Sequence, residues 1–163
     1  MTVLAIDPGN VQSAFVVFEP MGATGYIMSS GIVSNQDMLA LCEEGFPDCC
    51  PDWMAIEMVE SFGMAVGKEI FETVWWTGRF CQAWDNEDVQ HTRVYRKEVK
   101  LHLCGSPRAK DGNIRQALLD RLGPQGRKSQ PGPTYGISKD MWSALAVAVT
   151  WHDLHSKEVR QCL

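Results

Sequence analysis

The sequence predicts one layered α/β domain over residues 1–163, in which a mixed sheet of five strands carries helices on its faces. Three observations predict this fold class. Apolar, β-rich runs fill the first third of the chain between turns that contain Gly and Pro. Helical patterns then alternate with two further strand patterns. The last helical pattern is apolar on every side, which is typical of a buried helix. An α+β arrangement of the same layers stays open at this point.

In the first half of the chain, turn residues separate the apolar runs. Pro8-Gly9 ends the first run and Pro20-Met21-Gly22 ends the second. Asn35 is a suitable N-cap for a helix, and Gly45 is a suitable residue to end it. The predicted elements are strands over residues 2–7, 12–19, 26–33 and 53–59 and a helix over residues 36–44.

In the second half, a glycine-punctuated segment, residues 60–67, leads into the first of four helices. The segment 123–136 holds three prolines and four glycines, so we predict a loop there. We find no internal repeat and no linker long enough to divide the chain. The predicted elements are a strand over residues 89–95 and helices over residues 68–84, 97–103, 113–121 and 139–155.

Composition indicates a protein of the cytoplasm. The 163 residues are enough for a sizeable core, and the hydrophobic fraction of 45% is ordinary. No apolar run approaches the roughly 20 residues that a membrane-spanning helix needs. No basic segment precedes a longer apolar one at the N-terminus, so we expect no signal peptide. The six cysteines form no Cys-x-x-Cys pair and fit no common zinc pattern, and we expect reduced thiols.

Charge is distributed unevenly along the chain. Residues 93–128 contain ten Lys or Arg and three Asp or Glu, a balance of +7, although the whole chain carries −5. A basic segment on an acidic chain is expected of a face that binds phosphates. The alternative is a solvated helical surface, to which charge runs commonly belong. The acids described next favour a nucleic-acid partner.

Three carboxylates adjoin apolar elements. Asp7 ends the first predicted strand, Glu57 lies within the fourth, and Asp140 directly precedes the last apolar helical stretch. A buried charge is costly unless it meets a cation or a metal. Carboxylates that converge without His or Cys suit a hard cation such as Mg²⁺ or Mn²⁺. The alternatives are a turn cap at Asp7, an edge-strand surface residue at Glu57 and a helix N-terminal acid at Asp140.

These acidic motifs resemble those of the RuvC-type Holliday junction resolvases, and the chain resembles a compact, phage-like member. The motifs match in order and spacing over nearly the whole chain. The resemblance rests on Ala5-Ile6-Asp7-Pro8-Gly9, Ala55-Ile56-Glu57 and Asp140-Met141-Trp142-Ser143-Ala144-Leu145-Ala146. It implies an RNase H-like fold and a homodimer. It also implies a Mg²⁺- or Mn²⁺-dependent endonuclease that cuts two opposed strands of a branched DNA junction, with no small-molecule cofactor.

Residue by residue, the resemblance implies that Asp7, Glu57 and Asp140 are catalytic metal ligands. Hydrolysis with two metal ions needs a carboxylate that reaches both, and we select Asp7 on the central strand for that role. The family usually has a second acid three residues after the position of Asp140, where this chain has Ser143. Positions i and i+3 share a helix face, so Ser143 can still point at the site and hold a metal-bound water. Asp111 and Glu60 are the alternatives for the fourth ligand.

Phosphate contacts are expected from the basic segment, and the family has functional lysines at the place of Lys110. The residues selected are Lys100, Arg108, Lys110 and Arg115. Phe62 resembles the aromatic residue that the family places at the junction centre, where stacking on a base is worth ~1–3 kcal/mol. A core or interface position is the alternative for Phe62. Trp75, Trp76 and Trp84 are expected to be core or dimer contacts.

Other functions stay open. One is an RNase H-like nuclease that cuts flap DNA or RNA–DNA hybrids, and another is a junction-binding protein without catalysis. An actin-like ATPase is disfavoured, because the chain is too short for two such lobes and lacks a second glycine-rich phosphate loop.

Overall fold

A five-stranded mixed sheet forms the centre of the protein. The structure is a computed structural model and describes residues 1–61, 63, 65–85 and 90–155. Strands β1 and β2 are antiparallel, as are β2 and β3, whereas β1, β4 and β5 run parallel in the order β3-β2-β1-β4-β5. The strands are β1 (Val3–Asp7), β2 (Gln12–Met21), β3 (Thr24–Ser34), β4 (Trp53–Met58) and β5 (His91–Tyr95).

Helices cover both faces of this sheet. Helices α3, α4 and α5 pack on one face, and α1 and α2 pack on the other. The helices are α1 (Asn35–Glu44), α2 (Lys68–Trp84), α3 (Arg96–Cys104), α4 (Asp111–Leu122) and α5 (Met141–Leu154). The predicted α/β class and the mixed sheet with helices on both faces are therefore confirmed. In the described part of the chain, no helix is both long and apolar enough to cross a bilayer.

The central strand β1 is buried on both faces, which explains its unbroken apolar sequence. Val3 and Ala5 point into the core beneath α5, whereas Leu4 and Ile6 point into the core beneath α1 and α2. Alternation places the next residue, Asp7, on the side of α5. The period of the strand thus decides which layer its terminal carboxylate faces.

Helix α5 is almost wholly buried. Every residue from Ala144 to Trp151 is buried, and the helix packs across β1, β2 and β4. The Trp151 indole donates a hydrogen bond to the Thr92 hydroxyl at 3.1 Å, and Trp53 donates to the same oxygen at 2.8 Å. A helix that is apolar all round is stable only in such a position.

The start of α1 differs from the prediction that Asn35 is its N-cap. Ser34 caps the helix, with its hydroxyl accepting a hydrogen bond from the Asp37 backbone N–H at 3.1 Å. Asn35 is buried instead: it accepts from the Ser13 hydroxyl at 2.7 Å and donates to the Gly9 carbonyl at 3.0 Å. These bonds fasten the turn after β1, which a local capping pattern could not indicate.

The segment 123–136 is not a plain loop. It contains a hairpin of two short strands, β6 (Gly126–Arg127) and β7 (Gln130–Pro131). At Gly132 a Cβ would lie 1.9 Å from the Pro124 carbonyl oxygen, so the tight backbone approach requires glycine. Strands of two residues are too short to show a periodic pattern, which is why the sequence did not predict them.

The described cysteines are free thiols, as predicted for residues 42, 49, 50, 81 and 104. Burial raises the pKa of Cys42 to about 12 and that of Cys81 to about 11. These two thiols therefore stay protonated and behave as small apolar side chains in the core between α1 and α2. Cys162 lies outside the described residues.

Candidate active site

Asp7 and Glu57 lie side by side at the carboxyl ends of two parallel strands. In the register of β1 with β4, Ala5 pairs with Ala55, and both side chains point into the core beneath α5. Two residues further along each strand, Asp7 and Glu57 point the same way because the side-chain period is two. Both carboxylates line one cleft. Ligands of α/β folds collect at this edge of the sheet.

The start of α5 brings two more polar groups to Asp7. Asp140 directly precedes the helix, and its backbone carbonyl accepts a hydrogen bond from the Ala144 N–H at 3.1 Å. Its side chain is exposed, yet its charge raises the pKa of Asp7. The Ser143 side chain is near enough to Asp7 to lower that pKa. The structure therefore places Glu57, Asp140 and Ser143 close enough to Asp7 to shift its pKa.

These acids are not yet arranged as metal ligands. Within residues 1–61, 63, 65–85 and 90–155, no group of three Asp, Glu, His or Cys side chains stands close enough to hold a metal ion. Asp7 interacts with each of the other two acids, but the three do not converge on one point. The assignment of Asp7, Glu57 and Asp140 as metal ligands stays a prediction.

Negative charge in the site exceeds the positive charge that faces it. Burial, together with the charges of Glu57 and Asp140, raises the pKa of Asp7 to about 7, against the opposing effects of Arg96 and Ser143. Burial likewise raises the pKa of Glu57, against the opposing effect of Arg96. Two partly desolvated carboxylates whose pKa values stay raised despite the charge of Arg96 favour an additional cation.

Sequence analysis missed Arg96, the guanidinium in question. Arg96 is the first residue of α3; its Nη1 lies 3.3 Å from Glu57 Oε2 and its Nη2 lies 2.6 Å from Asp111 Oδ1. A cation at a helix N-terminus opposes the helix dipole, so its presence there is a signal that a nearby acid compensates it. The sequence contains that signal but does not identify the acid.

Two clefts meet at Arg96. One is lined by Asp7, Pro8, Arg96 and residues 57–60, and Glu60 stands exposed at its rim. The other lies between the starts of α4 and α5 and includes Asp111, Asp140 and Ser143. Lys139, which sequence analysis did not select, lines the second cleft. Its φ of 49° is unusual for a residue other than glycine.

The predicted phosphate-binding residues lie on the same side of the sheet as the acids. Lys100 on α3 is close enough for its charge to lower the pKa of Glu57. Arg115 on α4 lines the second cleft, with its guanidinium 5.0 Å from the centre of the Trp142 ring. Arg108 and Lys110 are exposed between α3 and α4. Phe62 lies outside the described residues, so its contact with DNA stays a prediction.

Comparisons with known proteins find a likeness in structure but none in sequence. No protein-family model and no curated protein sequence matches the chain. The structure of Thermus thermophilus RuvC matches with a TM-score of 0.74 at 20% identity, covering 98% of this chain and 97% of that one. The same protein in complex with a Holliday junction substrate matches with a TM-score of 0.75 at 19% identity, covering 98% and 96%.

A eukaryotic structure is similar too. The yeast mitochondrial Holliday junction resolvase Ydc2 matches with a TM-score of 0.59 at 11% identity, covering 99% of this chain and 86% of that one. At such identities the likeness establishes the arrangement of strands and helices rather than the chemistry. The chain has the RuvC fold, which is an RNase H-like architecture. The resemblance of its acidic motifs to those of the RuvC-type resolvases implied this fold.

Proposed function

We propose that this protein is a divalent-metal-dependent endonuclease that resolves four-way (Holliday) and related branched DNA junctions by symmetric phosphodiester hydrolysis. The observation that carries the proposal is the placement of Asp7 and Glu57 on neighbouring strand ends, beside Asp140 and Ser143, with more negative charge than Arg96 offsets. The fold, shared with a RuvC that was solved in complex with a Holliday junction substrate, supports the class of DNA.

The side chains present suit Mg²⁺ or Mn²⁺. Asp7, Glu57, Asp140 and the Ser143 hydroxyl offer only oxygen donors, which these hard cations prefer. The raised pKa of Asp7 indicates that its carboxylate lacks a sufficient counter-charge. When bound, such a cation would polarise the phosphodiester and activate the attacking water.

The chain's own residues would seat the DNA strand over these acids. Lys100 is near enough to Glu57 to lower its pKa, Arg115 lines the second cleft, and Arg108 and Lys110 are exposed between α3 and α4. Contacts of this kind position the phosphate backbone and carry little sequence information. A Lys near the cut phosphate, for which we select Lys110, would also stabilise the charge that develops there.

Arg115→Gln is expected to weaken junction binding about equally for all junction sequences. It should also reduce the slope of log affinity against log salt by about 1, because one phosphate contact and its released counterion are lost. Fluorescence anisotropy over a series of salt concentrations measures both quantities. Arg93→Gln is the matched control, because Arg93 is exposed and acts electrostatically on Cys81 of α2, on the other face of the sheet. Equal slopes for the two variants would remove Arg115 from the DNA contacts.

We propose further that two copies associate through one face of α2. Phe71, Val74 and Trp75 are exposed there, with 64% of Phe71 and 56% of Trp75 accessible. Their spacing puts them on one side of the helix, and contiguous exposed apolar surface is typical of an interface. Two symmetric cuts also require two active sites related by a two-fold axis.

Trp75→Glu is expected to convert the dimer into a monomer, because it places two charges at the centre of a two-fold apolar contact. Sedimentation velocity at several protein concentrations, with and without junction DNA, measures the change. Tyr26→Glu is the control, since Tyr26 is 67% accessible on the edge strand β3, three places in the sheet from β4, the strand that α2 contacts. A wild-type protein that stays monomeric with junction bound would refute the dimer.

A cleavage panel tests the function itself. Four-way junctions, flap DNA and RNA–DNA hybrids of matched sequence are incubated with Mg²⁺ or Mn²⁺ and with chelator. We expect paired, metal-dependent cuts in the four-way junction and little cutting of the other two substrates. Preferential cutting of the flap or the hybrid would favour the alternative function, an RNase H-like nuclease that acts on those substrates. Tight junction binding without any cutting would favour a non-catalytic binding protein.

A further inference from the structure

Arg96 occupies the position between the acids of the candidate metal site. It is the residue that the two clefts share, with Asp7 and Glu57 on one side of it and Asp111, Asp140 and Ser143 on the other. Its charge also acts on Asp7. In this arrangement the described acids do not form a group that can hold a metal.

The two ion pairs of Arg96 differ in environment. The side chain of Glu57 is only 13% exposed, whereas that of Asp111 is 81% exposed. The shorter contact, 2.6 Å, is to the exposed Asp111, and the contact to the buried Glu57 is 3.3 Å. The guanidinium is thus held at the rim by Asp111 and reaches inward to the less exposed of its two carboxylate partners.

We propose that Arg96 is a tethered counter-ion that competes with the divalent cation for Glu57, and that Asp111 retains the guanidinium at the rim when the cation binds. The inference rests on the proposed metal site and adds a positioning residue to it. A side chain that neutralises Glu57 in the metal-free protein stabilises that state, and the entering cation must displace it. Metal affinity is therefore lower than the acids alone would give.

The expected change in metal affinity is opposite in sign to the change that a purely structural role of Arg96 would produce. Removal of the competing cation should tighten metal binding, even though the same change leaves the metal-free protein with an uncompensated buried carboxylate. Loss of a merely supporting residue would loosen the site and weaken metal binding.

The test measures Mn²⁺ affinity of the full chain, without DNA, by electron paramagnetic resonance. We expect Arg96→Gln to bind Mn²⁺ roughly tenfold more tightly than wild type, within the range of ordinary site–site coupling. Arg93→Gln is the control: it removes the same charge from the neighbouring strand β5 and should change the affinity little. Thermal melting should show that Arg96→Gln is less stable than wild type in chelator and gains more from added Mn²⁺.

A double-mutant cycle with Asp111 isolates the tether. Asp111→Asn alone should weaken Mn²⁺ binding, both because an acid is lost and because Arg96 is released towards Glu57. In the Arg96→Gln background the same substitution should cost less, since no guanidinium remains to be released. Arg96→Lys, which keeps the charge without the forked geometry, provides a variant that folds if Arg96→Gln does not, and it should bind Mn²⁺ with an affinity between those of wild type and Arg96→Gln.

The outcomes separate this inference from the proposed function. Folded Arg96→Gln that binds Mn²⁺ no more tightly than wild type overturns the counter-ion role, and additive effects in the cycle overturn the tether at Asp111. If Arg96→Gln does not fold, Arg96→Lys that binds Mn²⁺ no more tightly than wild type overturns it. Wild-type protein that binds Mn²⁺ but cuts no branched DNA refutes the function and leaves the counter-ion role standing. Absence of Mn²⁺ binding in both wild type and Arg96→Gln refutes both.

Discussion

Asp7→Asn is expected to reduce metal-dependent junction cleavage by at least about 1000-fold, the scale at which central catalytic groups act. Asp7 is the acid that interacts with both Glu57 and Asp140, so its loss removes the carboxylate common to the proposed ligand set. Junction affinity in chelator should be unchanged or slightly higher, because the phosphate contacts remain and a negative charge is lost.

Single-turnover cleavage of a labelled four-way junction measures this effect, and anisotropy measures binding. Asp48→Asn makes the same chemical change at an exposed turn residue away from the site, and this variant should cut at the wild-type rate. Unchanged turnover by Asp7→Asn would remove the proposed active site.

The stability of the same variant checks that it folds, and its pH dependence has a definite sign. Burial and neighbouring acids raise the folded-state pKa of Asp7 to about 7 from an ordinary value of 3.8. The folded protein therefore holds a proton that the unfolded chain has released between these values, and metal-free stability falls as pH rises through this window. Asp7→Asn mimics the protonated acid. In chelator it should match wild type near pH 4 and melt at a higher temperature at pH 8.

Trp151→Ala is expected to lower the free energy of unfolding by about 3–5 kcal/mol, the usual cost of truncating a buried large aromatic residue. Trp151 is fully buried in α5, stacks on Trp53 with ring centres 6.3 Å apart, and donates a hydrogen bond to Thr92. The substitution leaves a cavity and removes one of two donors to the Thr92 hydroxyl.

Chemical denaturation monitored by circular dichroism measures this loss. Tyr26→Ala removes an exposed aromatic ring and should change stability by no more than about 0.5 kcal/mol. If Trp151→Ala does not fold, Trp151→Phe should fold with a smaller loss, because most of the packing is kept. A loss below about 1 kcal/mol for Trp151→Ala would show that this part of the core tolerates truncation.

Local pattern was sufficient to predict the α/β class and the apolar elements that carry the acids. Unbroken apolar runs at β1 and β4 indicated strands buried on both faces, and period-two alternation puts Asp7 and Glu57 on one side of the sheet. The apolar sequence of α5 indicated the helix that would cover them. A carboxylate inside such sequences is unusual enough to be recognised without coordinates, because its burial needs a compensating cation.

Other features depended on partners distant in sequence. Asn35 is a residue type that caps helices, but its side chain is hydrogen-bonded to the Ser13 hydroxyl and to the Gly9 carbonyl. Folding of the sheet brings these two groups to it. Hairpin β6–β7 depends on the close approach of Gly132 to Pro124 rather than on a periodic pattern.

The sequence by itself determined which layers form and which acids lie among them, since strand and helix periods are local properties of the chain. Only the tertiary structure decided how the charges in the site are paired. Arg96 meets Glu57 across 39 residues and Asp111 across 15. Electrostatic pairing depends on distance and burial in space, and neither quantity is encoded in the spacing of residues along the chain.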